Sequence, residues 1–276
     1  MKIIADTTTL YSPEDGKRQG ITIVPSCTII DGEVYKDYAD IGSDEFLEKI
    51  ANGSVPTTSQ PAIGDILEVF EENDEEILFL PIGDGLSGTY QNAVGAKNSM
   101  EENEHIHVLD TKTLGGPQRY LLHKALELKE KGFAVEKIKE ELLRRIETSV
   151  SFVIPKDFEF LKRSGRLTPI AAKIATMIKI VPVLTQTEDK KRITLFTVKR
   201  SRRKALDALI GHLKELGVNE DYVVSVSHAG VWEEAEEVLL KLKEHFVGVA
   251  MELFQLSPSL ITHGGPGCIV IQAIMK

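Results

Sequence analysis

Apolar and polar positions follow two different periods along this chain. In the first half, short apolar runs predict buried strands at 2–5, 21–25, 77–81 and 106–109. Elsewhere, apolar residues recur every three or four positions, and two such stretches predict helices at 118–131 and 134–148. Strands that alternate with helices indicate a layered α/β fold.

The second half repeats this alternation with its own elements. We predict strands at 150–154, 180–184, 193–198, 222–226, 248–254 and 268–274. Two helical faces are formed by Leu206, Leu209, Ile210, Leu213 and by Ala235, Val238, Leu239, Leu242. A pair of helices ends near Ser149 and a new series of strands begins there. We therefore predict two domains, 1–149 and 150–276.

Local signals predict a hairpin and the start of a helix. Asp31 and Gly32 separate two apolar runs between positions 27 and 35, which favours a hairpin because both turn positions require positive φ. One face of a helix is formed by Ile63, Ile66, Leu67 and Phe70. Ser59 and Pro61 stand where the cap and first turn of that helix belong. We therefore expect the hydroxyl groups near Ser59 at a helix N-terminus.

Composition and charge limit the classes of function. The chain has 276 residues, 42% hydrophobic content, a net charge of -9 and a pI near 5.4. This balance argues against nucleic-acid binding, which needs a basic face. Cys27 and Cys268 form no C-x-x-C pair, so we expect neither a disulfide framework nor a metal site. No apolar run approaches the ~20 residues of a membrane span, and the N-terminus enters a predicted strand. We predict a cytoplasmic protein.

Three clusters of small polar residues lie far apart in the sequence, at 56–61, 85–89 and 261–267. They supply hydroxyls, loop amides and one imidazole, which can hold a carboxylate or phosphate oxygen without reacting. Taken singly, Ser59 and Ser87 are explained more simply as helix caps and His263 as a core histidine. Their joint occurrence favours an anion-binding site.

One alternative is a dinucleotide-binding enzyme. Gly83, Gly85 and Gly88 form a literal G-x-G-x-x-G between a predicted strand and a helix, and Asp110 follows at the end of another strand. This interpretation leaves the other two polar clusters without a role. Thr89 stands where the lysine of a P-loop is required, so a nucleotide-kinase site is not expected.

A second alternative is an acyl ester or thioester hydrolase that uses Ser87 and His263. Ser87 follows a strand and opens a helix, and His263 comes late in the chain, as in α/β-hydrolases. The motif G-x-S-x-G requires glycine where Thr89 stands. In addition, no carboxylate has a spacing that marks it as the third member of a triad.

The order of the motifs along the chain resembles the DegV family of bacterial fatty-acid-binding proteins. The resemblance covers essentially the whole chain and is carried by residues 6–8, 57–61, 86–90, 161–167, His263 and 265–267. Each piece is weak alone, whereas their joint order is specific. Ala62 and Cys268 depart from the residues usual in the family, and neither departure removes a predicted carboxylate donor.

The resemblance implies a two-domain α/β fold with an N-terminal Rossmann-like parallel sheet and a C-terminal mixed α/β domain. It implies a non-catalytic carrier without a cofactor that binds one long-chain fatty acid, such as palmitate or stearate, at the domain interface. The carrier would present the acid to a fatty acid kinase for acyl-phosphate formation in phospholipid metabolism. By motif match, the carboxylate would be surrounded by Thr58, Ser59, Ser87, Gly88 and His263. Transient contact with a membrane surface is also expected.

Such a ligand requires a long apolar slot. The segment 169–184 could line or cover it, through Ile170, Ala171, Ile174, Ala175, Met177, Ile178, Ile180 and Val183. An ordinary core helix and strand explain the same pattern equally well, because periodicity does not separate the two.

A basic cluster at 199–204 has five basic residues in six, at the start of a predicted helix. The helix macrodipole disfavours cations there. A solvated surface is the usual explanation of a charge run, but the rest of the chain is acidic. A docking patch for an acidic partner or a phosphate fits the position as well. In the kinase-linked members of the family, an arginine matching Arg202 contributes to docking, so the resemblance implies this role for Arg202.

Overall fold

The computed structural model describes residues 1–174 and 179–276. The strands are β1 (Lys2–Asp6), β2 (Ile21–Val24), β3 (Cys27–Ile30), β4 (Glu33–Lys36), β5 (Thr57–Ser59), β6 (Ile77–Leu80), β7 (Ile106–Val108), β8 (Val150–Ile154), β9 (Val181–Gln186), β10 (Ile193–Lys199), β11 (Tyr222–His228), β12 (Ala250–Gln255) and β13 (Ile269–Met275). The helices are α1 (Pro13–Arg18), α2 (Ser43–Ile50), α3 (Ile63–Glu71), α4 (Thr89–Ser99), α5 (Gly115–Glu130), α6 (Val135–Thr148), α7 (Phe158–Arg163), α8 (Pro169–Lys173), α9 (Arg202–Glu215), α10 (Trp232–His245) and α11 (Pro258–Gly264).

The first sheet is parallel, with the strand order β2-β1-β6-β7. Its central strands β1 and β6 are almost continuously apolar and buried, as expected of strands covered on both faces. The carboxyl ends of all its strands therefore lie along one edge. This sheet confirms the predicted N-terminal parallel α/β arrangement.

A small antiparallel sheet with the order β4-β3-β5 lies beside it. Asp31 and Gly32 have φ angles of 50° and 89°, which confirms the predicted hairpin turn. The predicted helix cap at Ser59 is wrong. Ser59 is the last residue of β5, and α3 begins only at Ile63 with Ala62 in the cap position. The backbone groups of Thr57–Ser59 are instead hydrogen-bonded by pairing of β5 with β3.

The second half of the chain forms a mixed sheet with the order β10-β9-β8-β13-β11-β12. Among the described strands of this sheet, β11 and β12 pair in parallel, and the other neighbouring strands pair antiparallel. One face packs on α9 and α10 through a hydrophobic cluster that includes Phe152, Val183 and Leu209. The mixed character of this sheet confirms the expectation for the C-terminal half.

Helix α5 packs between the parallel sheet and the mixed sheet. Leu121 and Ala125 of this helix share one hydrophobic cluster with Ile3 of β1 and Ile274 of β13. The close approach depends on Gly116, since a Cβ at that position would lie 1.9 Å from Ser225 Oγ. The two sheets are thus held together by a shared helix, and not only by the loops between them.

Helices in the described ranges 1–174 and 179–276 are too short or too polar to cross a membrane.

Candidate functional site

Loops at the carboxyl edge of the parallel sheet bring the small polar residues together. Thr8 follows β1, Ser26 follows β2 and Ser87 follows β6, and all three line one polar pocket. Ligands of open α/β sheets bind at this edge because the loops after parallel strands converge there. The position of the pocket follows directly from the strand order.

The opposite wall of the pocket comes from β5, from α11 and from the loop after α7. Thr58 and Ser59 lie on β5, Arg166 follows α7, and His263 lies in the last turn of α11. The structure therefore brings together the sequence-predicted residues Thr58, Ser59, Ser87 and His263. Gly88 follows Ser87 and packs against the side chain of Gln60, which also lines the pocket.

His263 is bonded to a hydroxyl and is uncharged at neutral pH. Its Nε2 lies 2.9 Å from Thr58 Oγ1. Burial, together with the positive charge of Arg166, lowers the pKa of His263 to about 3. A neutral imidazole can either donate to or accept from Thr58, so this pair can adjust to an incoming anion.

Within the part of the chain that the structure describes, the hydroxyls of Ser87 and Ser59 make hydrogen bonds only to nearby residues. Ser87 Oγ lies 2.9 Å from Thr89 Oγ1 and accepts a 3.3 Å bond from the Thr89 backbone N–H. Ser59 is exposed, and its hydroxyl donates to the Gln60 carbonyl at 3.1 Å. These weak local partners can be exchanged for a ligand oxygen at little cost.

Arg166 also lines the pocket, although the sequence did not predict it as a site residue. Its Nε donates to the Leu86 carbonyl at 3.1 Å, and its guanidinium also bonds the carbonyl of Ser164. Burial lowers the pKa of Arg166, yet the group stays charged because its ordinary pKa is so high. It brings a positive charge to a pocket whose other polar lining side chains are hydroxyls, an amide and a neutral imidazole. Arg166 lies in the motif at 161–167 that contributed to the family resemblance. That motif was therefore a signal for Arg166, but no role was assigned to the residue.

Two buried carboxyl groups brace the pocket from behind. Asp6 accepts hydrogen bonds from the backbone N–H groups of Thr8 at 2.9 Å and Ile82 at 2.7 Å. Asp37 accepts from the backbone N–H of Ser259 at 3.0 Å, and burial raises its pKa to about 7. These bonds fix the loop after β1 and the start of α11. Within the described residues, no cluster of His, Cys, Asp and Glu side chains is suited to hold a metal ion.

An apolar slot continues directly from the polar pocket. The two cavities share Leu86, Leu260 and His263. Beyond these residues, the slot is lined by apolar side chains from several elements, including Val153, Leu161, Ile193, Leu256, Cys268 and Val270. A polar end that opens into an apolar slot suits an amphipathic ligand with one anionic group.

The segment 169–184 was expected to line or cover this slot or to form an ordinary core helix and strand, and none of its described residues lines the slot. Ile170 is 69% exposed, and Val183 packs in the cluster under α9, on the other face of the sheet. Ala171 and Leu184 are buried beside the slot but do not line it. Local apolarity did not reveal which face each residue would occupy. The predicted contributions of Ala175, Met177 and Ile178 lie outside the described residues.

Both enzymatic alternatives are disfavoured by the geometry. A Cβ at Gly83 would lie 2.8 Å from the backbone of Lys112, so this glycine serves close packing within the chain. Asp110 is occupied by the backbone N–H groups of Asp84 and Lys112, both at 2.9 Å. Ser87 pairs with its neighbour, and a histidine whose pKa is about 3 is a poor general base at neutral pH.

Arg202 lies on a separate surface at the first turn of α9. Its guanidinium forms an ion pair with Glu234 and donates to the Gly267 carbonyl at 3.3 Å. Together with Leu206 and Val238, it lines a groove between α9 and α10. Gly267 immediately precedes Cys268, which lines the apolar slot. One hydrogen bond thus connects this groove to the wall of the slot.

Comparison with known proteins places these features in a family. The model of the DegV family, described as "Uncharacterised protein, DegV family", matches residues 1–276. A DegV domain-containing protein of Staphylococcus aureus is 28% identical over 278 residues, covering 99% of this chain and 98% of that protein.

Two solved structures share the whole fold. A DegV family protein from Thermus thermophilus, described by its fatty acid binding, has a TM-score of 0.90 and 25% identity, covering 100% of this chain and 99% of that one. A DegV family protein from Ruminococcus gnavus, solved with vaccenic acid, has a TM-score of 0.87 and 25% identity over 98% of each chain. The predicted fold class is confirmed.

Proposed function

Because this chain belongs to the DegV family, we propose that it binds one long-chain fatty acid and acts as a carrier, without catalysis of its own. Palmitate or stearate is the ligand that we favour. The observation that carries the proposal is the continuity of the polar pocket with the apolar slot through Leu86, Leu260 and His263. Each half of this site matches one half of a fatty acid.

The carboxylate would lie in the polar pocket. Hydroxyls of Thr58, Ser59 and Ser87 and the imidazole of His263 would bond its oxygens, and the backbone at Gly88 lies beside them. Arg166 would supply the opposing charge, since His263 is neutral at pH 7. A carboxylate needs such charge-assisted bonds when it leaves water.

The tail would provide most of the affinity. Burial of about fifteen methylene groups at ~0.8 kcal/mol each has an upper bound of ~12 kcal/mol. Losses of translational freedom and of chain entropy reduce this figure substantially. The polar pocket then fixes the orientation, with the tail inward and the carboxylate beside the exposed Ser59.

This orientation suits transfer of the terminal phosphoryl group of a nucleoside triphosphate, held by a kinase, to the carboxylate of the bound acid, with the nucleoside diphosphate as leaving group. We propose that a fatty acid kinase docks on the surface around Arg202 and reaches the carboxylate from the exposed rim of the pocket. The resulting acyl phosphate would enter phospholipid synthesis. We also propose that the protein acts in the cytoplasm and makes transient contact with a membrane surface. The hydrogen bond from Arg202 to Gly267 supports the choice of surface, because it joins the groove to the wall of the slot.

The experiment is a comparison of binding and transfer in Arg202→Ala. We expect palmitate affinity within twofold of wild type, but acyl-phosphate formation by a DegV-linked fatty acid kinase slowed at least tenfold. The wild-type rate should fall as salt rises, because attraction between exposed charges is screened over about 8 to 10 Å. Arg144→Ala is the matched control, since Arg144 is an exposed arginine on α6.

Two results would count against this role for Arg202. Equal losses of binding and transfer would place the arginine at the lipid site. Unchanged transfer in the variant would reduce the cluster at 199–204 to a solvated surface.

A further inference from the structure

A row of polar residues crosses the mixed sheet at the far end of the apolar slot. Along β13 and the residue before it, alternate positions are Cys268, Val270 and Gln272, so these side chains share one face. Cys268 and Val270 line the slot. Gln272 then pairs across the sheet with Ser151 of β8 and with Ser225 of β11. The slot face therefore changes from apolar to polar within one strand.

Gln186 extends this row to the neighbouring strand β9. Leu184 pairs with Val153, and Gln186 is two residues further along the same face, beside Ser151. Both Gln186 and Ser151 line the slot. We call Ser225, Gln272, Ser151 and Gln186 the polar row.

Gln272 ties the polar row to the first turn of α5. Its Nε2 donates to Ser151 Oγ at 2.8 Å and to the Leu114 carbonyl at 2.9 Å. Its Oε1 accepts from the Gly116 backbone N–H at 3.2 Å. The side chain is fully buried, so a loss of these bonds would leave polar groups without water. An acyl chain could therefore displace the Gln272 side chain only at a large cost in free energy.

Gln186 is bonded in a similar way at the outer end of the row. Its Nε2 donates to the Lys112 carbonyl at 3.0 Å and to the Lys190 carbonyl at 3.1 Å. Unlike Gln272, this residue is only partly buried, and Lys112 and Lys190 also have partly exposed positions. Water can therefore replace its hydrogen bonds. Truncation of the Gln186 side chain should accordingly destabilise the fold less than truncation of Gln272.

We propose that the polar row is the end wall of the acyl slot and limits the length of the fatty acid that the protein holds. This inference rests on the proposed fatty-acid binding. The strand from Cys268 to Gln272 spans about 13 Å at 3.3 Å per residue, so the wall stands about that far along the slot from Cys268. A methyl terminus that reached the wall would have to break the hydrogen bonds of Gln272 and Gln186 without offering any in return.

The test uses two substitutions with opposite expected effects. Dissociation constants are measured for saturated acids with even carbon numbers, from dodecanoic to docosanoic acid. Gln186→Ala opens the wall and should raise the affinity for eicosanoic relative to palmitic acid about tenfold, the effect of one well-packed methylene. Ser151→Val adds apolar volume in the wall itself, where Ser151 lines the slot, and should lower the same ratio by a similar factor. Gln255→Ala, on strand β12 of the same sheet, is the control and should leave the ratio unchanged.

The outcomes separate the wall from the carrier function. Wild-type protein that binds no acid of any length contradicts the proposed function and the wall with it. Normal binding with the same chain-length profile in Gln186→Ala as in wild type contradicts the wall alone. If Ser151→Val fails to fold, which a thermal melt would show, Gln186→Ala decides the matter by itself.

Discussion

At the scale of single residues, the candidate site separates charge from hydrogen bonding. Arg166 carries the positive charge, whereas Thr58, Ser87 and His263 supply neutral groups. This division was only half visible in the sequence. The hydroxyl clusters are short motifs and could be recognised, but Arg166 was one of many basic residues. Its burial depends on contact with Leu86, 80 positions away.

The pair Thr58 and His263 should behave as one unit in ligand binding. Each single alanine substitution is expected to weaken palmitate binding by about 1 to 3 kcal/mol, because it removes a bond to a buried carboxylate. Since the two side chains bond each other at 2.9 Å, the double variant should lose less than the sum of the single losses. Isothermal titration of the four proteins measures this coupling. Strict additivity would contradict the coupling of the two side chains, and unchanged affinity in both single variants would remove the pair from the site.

Asp37 should make stability depend on pH. Its pKa is about 7 in the folded protein against 3.8 for an ordinary aspartate. Between these values the folded state holds a proton that the unfolded state has released, so the free energy of unfolding falls as the pH rises from about 4 to 7. Below this window both states hold the proton, so Asp37 no longer makes the free energy of unfolding change with pH. At 1.36 kcal/mol per pKa unit, the full loss is about 4 kcal/mol.

The variant Asp37→Asn should therefore lack this part of the pH dependence. Urea unfolding at pH 5 and pH 8 should show a smaller decrease for the variant than for wild type. Asp6, whose pKa burial also raises, remains in both proteins, and its charge is one of the causes that raise the pKa of Asp37. A decrease of the same size in both proteins would show that Asp37 does not titrate in this range.

At the scale of secondary-structure elements, tertiary packing determines features that the apolar periodicity of the sequence did not specify. Most strands and the hairpin at Asp31 were predicted correctly because short apolar runs and a turn signature are local properties. The segment Thr57–Ser59 was expected at a helix start, but it pairs with β3, 28 to 32 positions earlier in the chain. The slot was also misplaced, since its walls come from strands that are distant in sequence, such as β8 and β13. Only the three-dimensional arrangement selects these faces.

Helix α5 provides a test of the packing between the two sheets. Gly116→Ala would place a Cβ 1.9 Å from Ser225 Oγ, so helix and strand would have to separate. We expect a loss of about 1 to 3 kcal/mol in unfolding free energy. The combination with Ser225→Gly should recover much of it. Gly211→Ala in α9, where no atom lies within 4 Å of the added Cβ, should instead stabilise by about 0.5 to 1 kcal/mol. Equal effects of the two alanine substitutions in thermal melts would contradict the close contact.

At the scale of the whole molecule, the candidate site lies where two differently built halves meet. The parallel sheet supplies loops at its carboxyl edge, and the mixed sheet supplies the apolar walls. Buried side chains from both halves also share one cluster, in which Phe46 contacts the group that contains Ile261 and Val270. The fold class was predictable because strands and helices alternate throughout the chain. The joint site was predictable only through the order of its motifs, since no local pattern specifies how the halves pack.

The most direct measurement is mass spectrometry of an organic extract of the purified protein. We expect a long-chain fatty acid at close to one molecule per chain in wild type, and clearly less in a variant that combines Arg166→Gln with Thr58→Ala. The Arg202→Ala variant, altered outside the pocket, should retain the wild-type amount. An extract without fatty acid from a protein that also fails to take up added palmitate, or a bound nucleotide in its place, would contradict the carrier function.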